Sequence, residues 1–234
     1  MIDIKGEEKS ISRVLRSHKE AKRSYDRMSL WYDWIPDSGE KKFINLGLEK
    51  LKDHKDERLL EIGFGTGLGL VELARSLKLS GRILGIDISE GMGRKAFKRL
   101  KKAGLENQVH LICGDGMELP FQKEAFNSVF MSFTLELFDT PEIHCVLQEC
   151  RRVLSDRGRL CVVSLSRAGT LSRAVKIYEW IHQKIPKYVD CRPIYVREAL
   201  EHENFSILNR EVKTMWGLPV EIVFARKTSP GISG

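Results

Sequence analysis

The residues of this chain best suited to chemistry are glycines and acids at regular intervals, not a nucleophile beside its base. The first group is Glu61-Ile62-Gly63-Phe64-Gly65-Thr66-Gly67. Glycines at alternate positions let a backbone turn sharply and approach a bound molecule closely. A helix beginning just after them presents unpaired N–H groups to it. A dinucleotide fingerprint needs G-x-G-x-x-G. Counted from Gly63 the sixth position is Leu68, and from Gly65 it is Leu70, so that pattern fails twice. What stands is E-x-G-x-G-x-G, against the plainer reading of a structural strand-to-helix turn.

The second signal is Asp87, about 20 residues beyond the last motif glycine, where an acid can accept both hydroxyls of a ribose. The competing reading is an acid favoured by a helix N-terminus, with Ser89 available as the cap. The third is Gly114-Asp115-Gly116-Met117, followed by Leu119-Pro120-Phe121. Asp115 can accept a hydrogen bond from an adenine amine, and Met117 can add a backbone contact and apolar cover. A turn aspartate bonded to its own backbone is the alternative.

These signals require a particular scaffold. Strands are expected at 58–65, 82–88, 109–115, 128–134 and 158–165, and helices at 68–77, 89–104 and 141–154. Ser89 and Gly104 read as the two caps of the second helix, and Pro141 as a first-turn residue of the third. A helical stretch at 170–184, a short helix at 195–203 and closing strands at 205–215 and 219–227 follow. Alternation of this kind predicts an α/β fold: a Rossmann-like, seven-stranded, mostly parallel sheet with an antiparallel edge hairpin and helices on both faces. In such sheets ligands bind outside the carboxyl ends of the strands, where all three signals fall. Residues 1–57 read as an N-terminal helical lid or appendage, 58–227 as the binding domain with an acceptor-side insertion at 166–200, and 228–234 as a tail.

With this order of motifs, the segments YDRMSLWYD, LLEIGFGTG, LGIDISEGM, CGDGMELPF, SFTLELF and ECRRVLSDRGRLCVVS resemble the ubiquinone/menaquinone-biosynthesis C-methyltransferase-like branch of the class I methyltransferases. The resemblance runs from about Tyr25 to Lys227 and departs at Ser155-Asp156-Arg157-Gly158, where relatives carry Pro and Gly. It implies S-adenosylmethionine as methyl donor and S-adenosylhomocysteine as product. It sets Glu61, Gly63, Gly65 and Gly67 about the amino-acid portion of that cofactor, Asp87 on the ribose, and Asp115, Gly116 and Met117 about the adenine. Ile88 and Met92 would flank the adenosine, Ser132 would touch the cofactor, and Tyr25 or Tyr32 would close over the methionine carboxylate.

Methyl transfer from a sulfonium needs alignment and exclusion of water more than a nucleophilic triad, and the chain has no such triad. Glu136, just past the fourth strand, is the first candidate for a base or acceptor-orienting group, with His182 second; each also reads as an ordinary loop or surface residue. His144 reads as partly exposed. Tyr178, Trp180, Tyr188, Cys191, Trp31, Trp34 and Trp216 offer material for an apolar acceptor pocket or, equally, for core packing.

The expected reaction is methylation of a small-molecule or lipid-like acceptor such as a quinone precursor. An amine or phospholipid headgroup is the alternative, and a cofactor-binding regulator without transfer activity is another. Of the 234 residues 30% are charged, with a net charge of +7, and the basic 5–24 segment suits peripheral contact with an anionic membrane. No Asn-Pro-Pro-Tyr-like motif follows the fourth strand, so no nucleic-acid substrate is expected. The start MIDIKGEEKS lacks an apolar signal core, and no run approaches the roughly 18–20 apolar residues of a membrane span, which points to a cytoplasmic protein. Five cysteines without C-x-x-C spacing argue against a disulfide frame or a zinc site; Cys113 and Cys161 are expected in the core.

Overall fold

The computed structural model describes residues 38–51, 58–77, 83–167 and 192–228. Helix α1 (Ser38–Glu49) precedes β1 (Leu59–Ile62), α2 (Leu68–Leu77), β2 (Ile83–Asp87), α3 (Glu90–Ala103), β3 (Val109–Cys113) and β4 (Phe126–Ser132). A 3-10 turn at Leu135–Leu137 leads into α4 (Thr140–Val153), β5 (Leu154–Leu165), α5 (Val196–His202), β6 (Phe205–Met215) and β7 (Leu218–Lys227). The expected strands and helices within these residues form at the predicted places, with ends shifted by a few positions. The helical stretch at 170–184 and the basic 5–24 segment lie outside the described residues.

The local causes are visible at α3 and α4. The Ser89 hydroxyl accepts the Met92 N–H at 3.1 Å, and Gly104 ends α3 in the left-handed region at φ 69°. Its N–H returns to the Leu100 and Lys101 carbonyls, the arrangement that closes helices at glycine. At α4, Glu142 reaches back to accept the Asp139 N–H at 2.8 Å, with Pro141 in the first turn.

The seven strands lie in the order β3-β2-β1-β4-β5-β7-β6. Strands β1 to β5 are parallel, while β7 runs antiparallel to both β5 and β6. β1 is buried at all four residues, as a central parallel strand covered on both faces must be. Alternating side chains divide the core. Phe130, Cys161 and Val163 face α1, α2 and α3, with Leu48, Leu70, Leu73 and Leu100; Val129, Met131, Leu160 and Val162 face α4 and α5, with Val146, Leu147 and Leu200.

Three placements differ from or sharpen the expectations. Helix α1, grouped by sequence with the N-terminal appendage, is seated in the first core through Phe43, Ile44 and Leu48, and the Cys161 thiol donates to the Gly47 carbonyl at 3.4 Å. Cys113 is exposed, not buried, because β3 is an edge strand; Cys161 is buried as expected. Trp216 is 67% exposed at the β6–β7 turn, with its ring against Gly39.

A methyl group added at Gly104 would meet nothing within 4 Å, so Gly104→Ala isolates the left-handed backbone cost. It is expected to lower stability by about 1 kcal/mol in urea titration. No loss would mean that the helix end relaxes freely.

Candidate functional site

The sheet order reverses between β1 and β4, and the crevice beyond their carboxyl ends is where sheets of this kind hold ligands. The sequence signals converge there. The Gly63 N–H donates to the Ile86 carbonyl at 2.8 Å, and the Gly65 N–H to Asp87 Oδ2 at 2.8 Å. Asp87 Oδ1 accepts the Ser89 N–H at 2.9 Å. One side chain therefore holds the glycine loop to the entry of α3. Each carboxylate oxygen has two acceptor positions, so this clasp and a diol are compatible.

The three glycines serve different ends. Gly63 has φ 71°, and a Cβ there would stand 2.2 Å from the Thr134 side chain. Gly67 has φ 81° and lets α2 approach Ala96 of α3. Gly65 has φ 51°, yet a Cβ there would meet nothing within 4 Å among the described residues. Its backbone borders open space.

Beneath the loop, Glu61 is 1% exposed, and its Oε2 has no hydrogen-bond partner among the described residues. A Cβ on Gly69, in the first turn of α2, would be 2.1 Å from Glu61 Oε1, so that glycine makes room for the carboxyl. Burial first, and then the charge of Asp87, hold the Glu61 carboxyl well above the usual carboxylate range.

At the end of β3, the Gly114 N–H donates to the Asp87 carbonyl at 3.0 Å, tying two strand ends together. Asp115 Oδ1 accepts the Met117 N–H at 2.9 Å, so the aspartate does form the turn bond to its own backbone. Gly116 lies against Ile62 and Phe138. Met92 is buried, while Ile88, Met117 and Ser132 are half-buried near the same strand ends. Tyr25, Tyr32 and His182 lie outside the described residues, as do Trp31, Trp34, Tyr178, Trp180, Tyr188 and Cys191.

Glu136 is fully buried in the 3-10 turn after β4, which excludes the exposed-loop reading. Its Oε1 accepts the Leu165 N–H at 3.1 Å from the end of β5, and Oε2 has no partner among the described residues. Burial pushes its carboxyl up to about 7, against the pull of the Glu136 and Leu165 N–H groups and the Ser164 hydroxyl, with the charge of Glu40 adding to the rise.

Sequence reasoning missed three residues. The Thr134 hydroxyl lies 3.1 Å from the Gly63 carbonyl and 3.0 Å from that of Ser132, linking the glycine loop to β4. Arg192, buried, reaches the Phe138 carbonyl at 2.5 Å and Thr140 Oγ1 at 3.2 Å. Glu221, also buried, accepts from Arg210 Nε at 2.5 Å and from the Ser166 hydroxyl at 2.6 Å. Thr134 lies within SFTLELF but has no marked role there, and all three act through contacts that residue spacing does not reveal.

Comparison with known proteins identifies the family and the fold. A methyltransferase-domain family model matches residues 59–158. A demethylmenaquinone methyltransferase of Lactobacillus johnsonii is 30% identical over 203 residues, covering 78% of this chain and 80% of that protein. The chain belongs to the class I S-adenosylmethionine-dependent methyltransferases, in their quinone-biosynthesis-like branch. The geranyl diphosphate C-methyltransferase of Streptomyces coelicolor, solved with S-adenosylhomocysteine, shares the fold with a TM-score of 0.63 at 15% identity, covering 79% of this chain and 76% of that one. So does the [4+2]-cyclase SpnF, with a TM-score of 0.65 at 20% identity and coverage of 81% and 82%. The methyltransferase fold thus recurs with another named chemistry, and the acceptor has to be argued from the site.

S-adenosylmethionine is the methyl donor of this family, and the residues present suit it. Among the described residues Gly65 leaves its backbone open to approach by a ligand, and the Glu61 oxygen without a partner suits an ammonium donor. Gly65→Ala is expected to cost about 1 kcal/mol of stability, like any left-handed alanine, but to weaken S-adenosylhomocysteine binding at least tenfold by calorimetry. Unchanged affinity would reduce the motif to a turn.

Proposed function

We propose that this methyltransferase acts on a small, lipid-like acceptor of the quinone-precursor class, with Glu136 as the group that receives the acceptor's proton. The observation that carries the reading is the buried, unpartnered Glu136 oxygen beside the end of β5. When bound, S-adenosylmethionine supplies a methyl group activated by its sulfonium.

In this reading the chain holds the cofactor through Glu61, Gly63, Gly65 and Gly67, with Asp87 on the ribose and Asp115, Gly116 and Met117 at the adenine. Ile88, Met92 and Ser132 complete the lining, and Tyr25 or Tyr32 closes over it. Asp87 must keep its clasp on Gly65 while it accepts the ribose hydroxyls.

Acceptor residues are expected on the β4–β5 side. The start of α1 with Gly39 and Glu40, the 3-10 turn, the end of β5 and the Trp216 turn share that edge. A carbon acceptor must lose a proton, and in this reading Glu136 Oε2 accepts it. An amine acceptor that is already neutral needs no such group. His182, within the 166–200 insertion, is the second candidate for the same task.

Membrane contact from the cytoplasmic side fits the reading. No described helix is long and apolar enough to cross a membrane. Helix α3, however, exposes Arg94, Lys98, Lys101 and Lys102 around Phe97, itself 50% exposed. Arg94, Phe97, Lys98 and Lys101 stand at i, i+3, i+4 and i+7, one helical face. Cations with an apolar side chain among them suit an anionic lipid surface. Vesicles containing phosphatidylserine should co-sediment the protein at low salt and release it at high salt. The pair Phe97→Ala and Lys98→Glu should weaken that binding. Absence of binding at both salts removes the membrane contact but leaves the acceptor reading intact.

The pH dependence tests Glu136 directly. A base with its carboxyl near 7 is unprotonated only above that pH, so turnover should rise through about 7. Glu136→Gln should lose that limb and most of the activity; full activity would refute the base role and favour a neutral amine acceptor. The sign for stability is opposite. Because folding raises this carboxyl above its usual value of 4.5, its contribution is full below that pH and is lost as pH rises toward 7. Glu136→Gln should therefore be the more stable form at pH 8 in urea titration, by an amount on the order of a few kcal/mol.

A further inference from the structure

Outside the methyl-transfer site, three metal-ligating side chains meet on the helix layer formed by α4 and α5. His144 Nδ1 lies 2.6 Å from Glu203 Oε1, and His202 Nδ1 lies 2.8 Å from the same oxygen. One ligand atom from each residue falls within 4.8 Å of the others. The two rings stand edge to face, with centroids 6.3 Å apart and planes at 70°.

Their burial differs in a telling way. The Glu203 side chain is only 8% exposed, whereas both imidazoles are open to solvent. Glu203 is fixed as the C-cap of α5, with its N–H on the Ala199 carbonyl. The anchor oxygen is thus held in place by the helix end, and the two movable groups are exposed rings.

Two imidazole nitrogens and one carboxylate oxygen are the ligand set of zinc and its late first-row neighbours, and a poor one for magnesium. At zinc-like bond lengths, tetrahedral ligands stand roughly 3.4 Å apart. The present 2.6 and 2.8 Å separations are those of hydrogen bonds, so the two Nδ1 atoms would move outward by roughly 0.6 to 0.8 Å as the ion replaces their protons.

We infer that His144, His202 and Glu203 form a binding site for a zinc-like divalent cation that bridges α4 to the end of α5. Water fills the outward coordination positions. The ion clamps two helices and takes no part in methyl transfer, so the inference stands apart from the proposed acceptor chemistry. The cysteines offer no metal spacing; His144 stands 59 positions from Glu203, and only the fold brings it to the adjacent His202 and Glu203.

The test is calorimetric titration of the chelator-treated full chain with zinc, nickel and magnesium salts, with thermal midpoints measured alongside. Zinc and nickel should bind at one site with micromolar or tighter affinity and raise the midpoint, since an ion held only by the folded state stabilises it. Magnesium should do neither. His144→Ala and His202→Ala, both at exposed positions, should each weaken zinc at least tenfold and abolish the midpoint shift. Glu203→Gln should do the same, but it removes a buried carboxylate, so the histidine variants decide. No heat from zinc, undiminished affinity in the double histidine variant, or equal binding of magnesium would each overturn the site.

Discussion

The hydrogen bond from the Gly65 amide to the Asp87 carboxylate is the constraint on which the site depends. It joins the ends of β1 and β2 at the point where the chain leaves the sheet and turns into α2. Without it, a residue at φ 51° with open space before it would have nothing to hold its backbone toward a ligand. The second oxygen of Asp87 takes the Ser89 amide, so the same side chain also fixes the entry of α3. The acid at the end of β2 is thereby structural, and its remaining lone pairs are those a ribose diol would use in the proposed reading. Its charge also helps keep Glu61 protonated beneath the loop. A cationic donor arriving above Glu61 would relieve that cost, since a buried carboxyl without a partner is unfavourable.

The reversal of strand order between β1 and β4 divides the edge into two halves. Glycines and acids line the β1–β3 half. The β4–β5 half carries Glu136 and the Trp216 turn, and Thr134 spans the boundary by touching carbonyls of both Gly63 and Ser132. Arg192 and Glu221 stiffen the second half. The first holds the backbone around Phe138 and Thr140, and the second joins β6 and β7 to the segment after β5. Buried charged groups of this kind serve geometry more than stability, because their desolvation offsets much of their attraction.

The cofactor half was legible in the sequence because its determinants are local. Glycine spacing, an acid ending a strand, the Ser89 cap and the Gly104 stop each act within a few residues, and the expected secondary structure forms around them. The seven-stranded order follows from alternation and from the short β6–β7 turn. Long-range placement was less legible. Glu136 reads both as a candidate base and as an ordinary exposed acid, since nothing nearby announces that the end of β5 covers it. Cys113 read as core, since periodicity does not reveal that β3 is an edge. Asp115 remained ambiguous for the opposite reason: its turn bond to Met117 is local, and adenine binding leaves no separate mark. Thr134, Arg192 and the His144, His202 and Glu203 group depend on contacts between distant segments, which no motif encodes.

The central claim is that a single carboxylate both shapes the glycine loop and receives the adenosyl group. Calorimetry of S-adenosylhomocysteine binding to Asp87→Ala, on protein shown by circular dichroism to be folded, tests it most directly. The account predicts a loss of affinity of about a hundredfold or more, in line with removal of a bidentate, charge-assisted contact together with its supporting clasp. Affinity equal to that of the unaltered protein would contradict it.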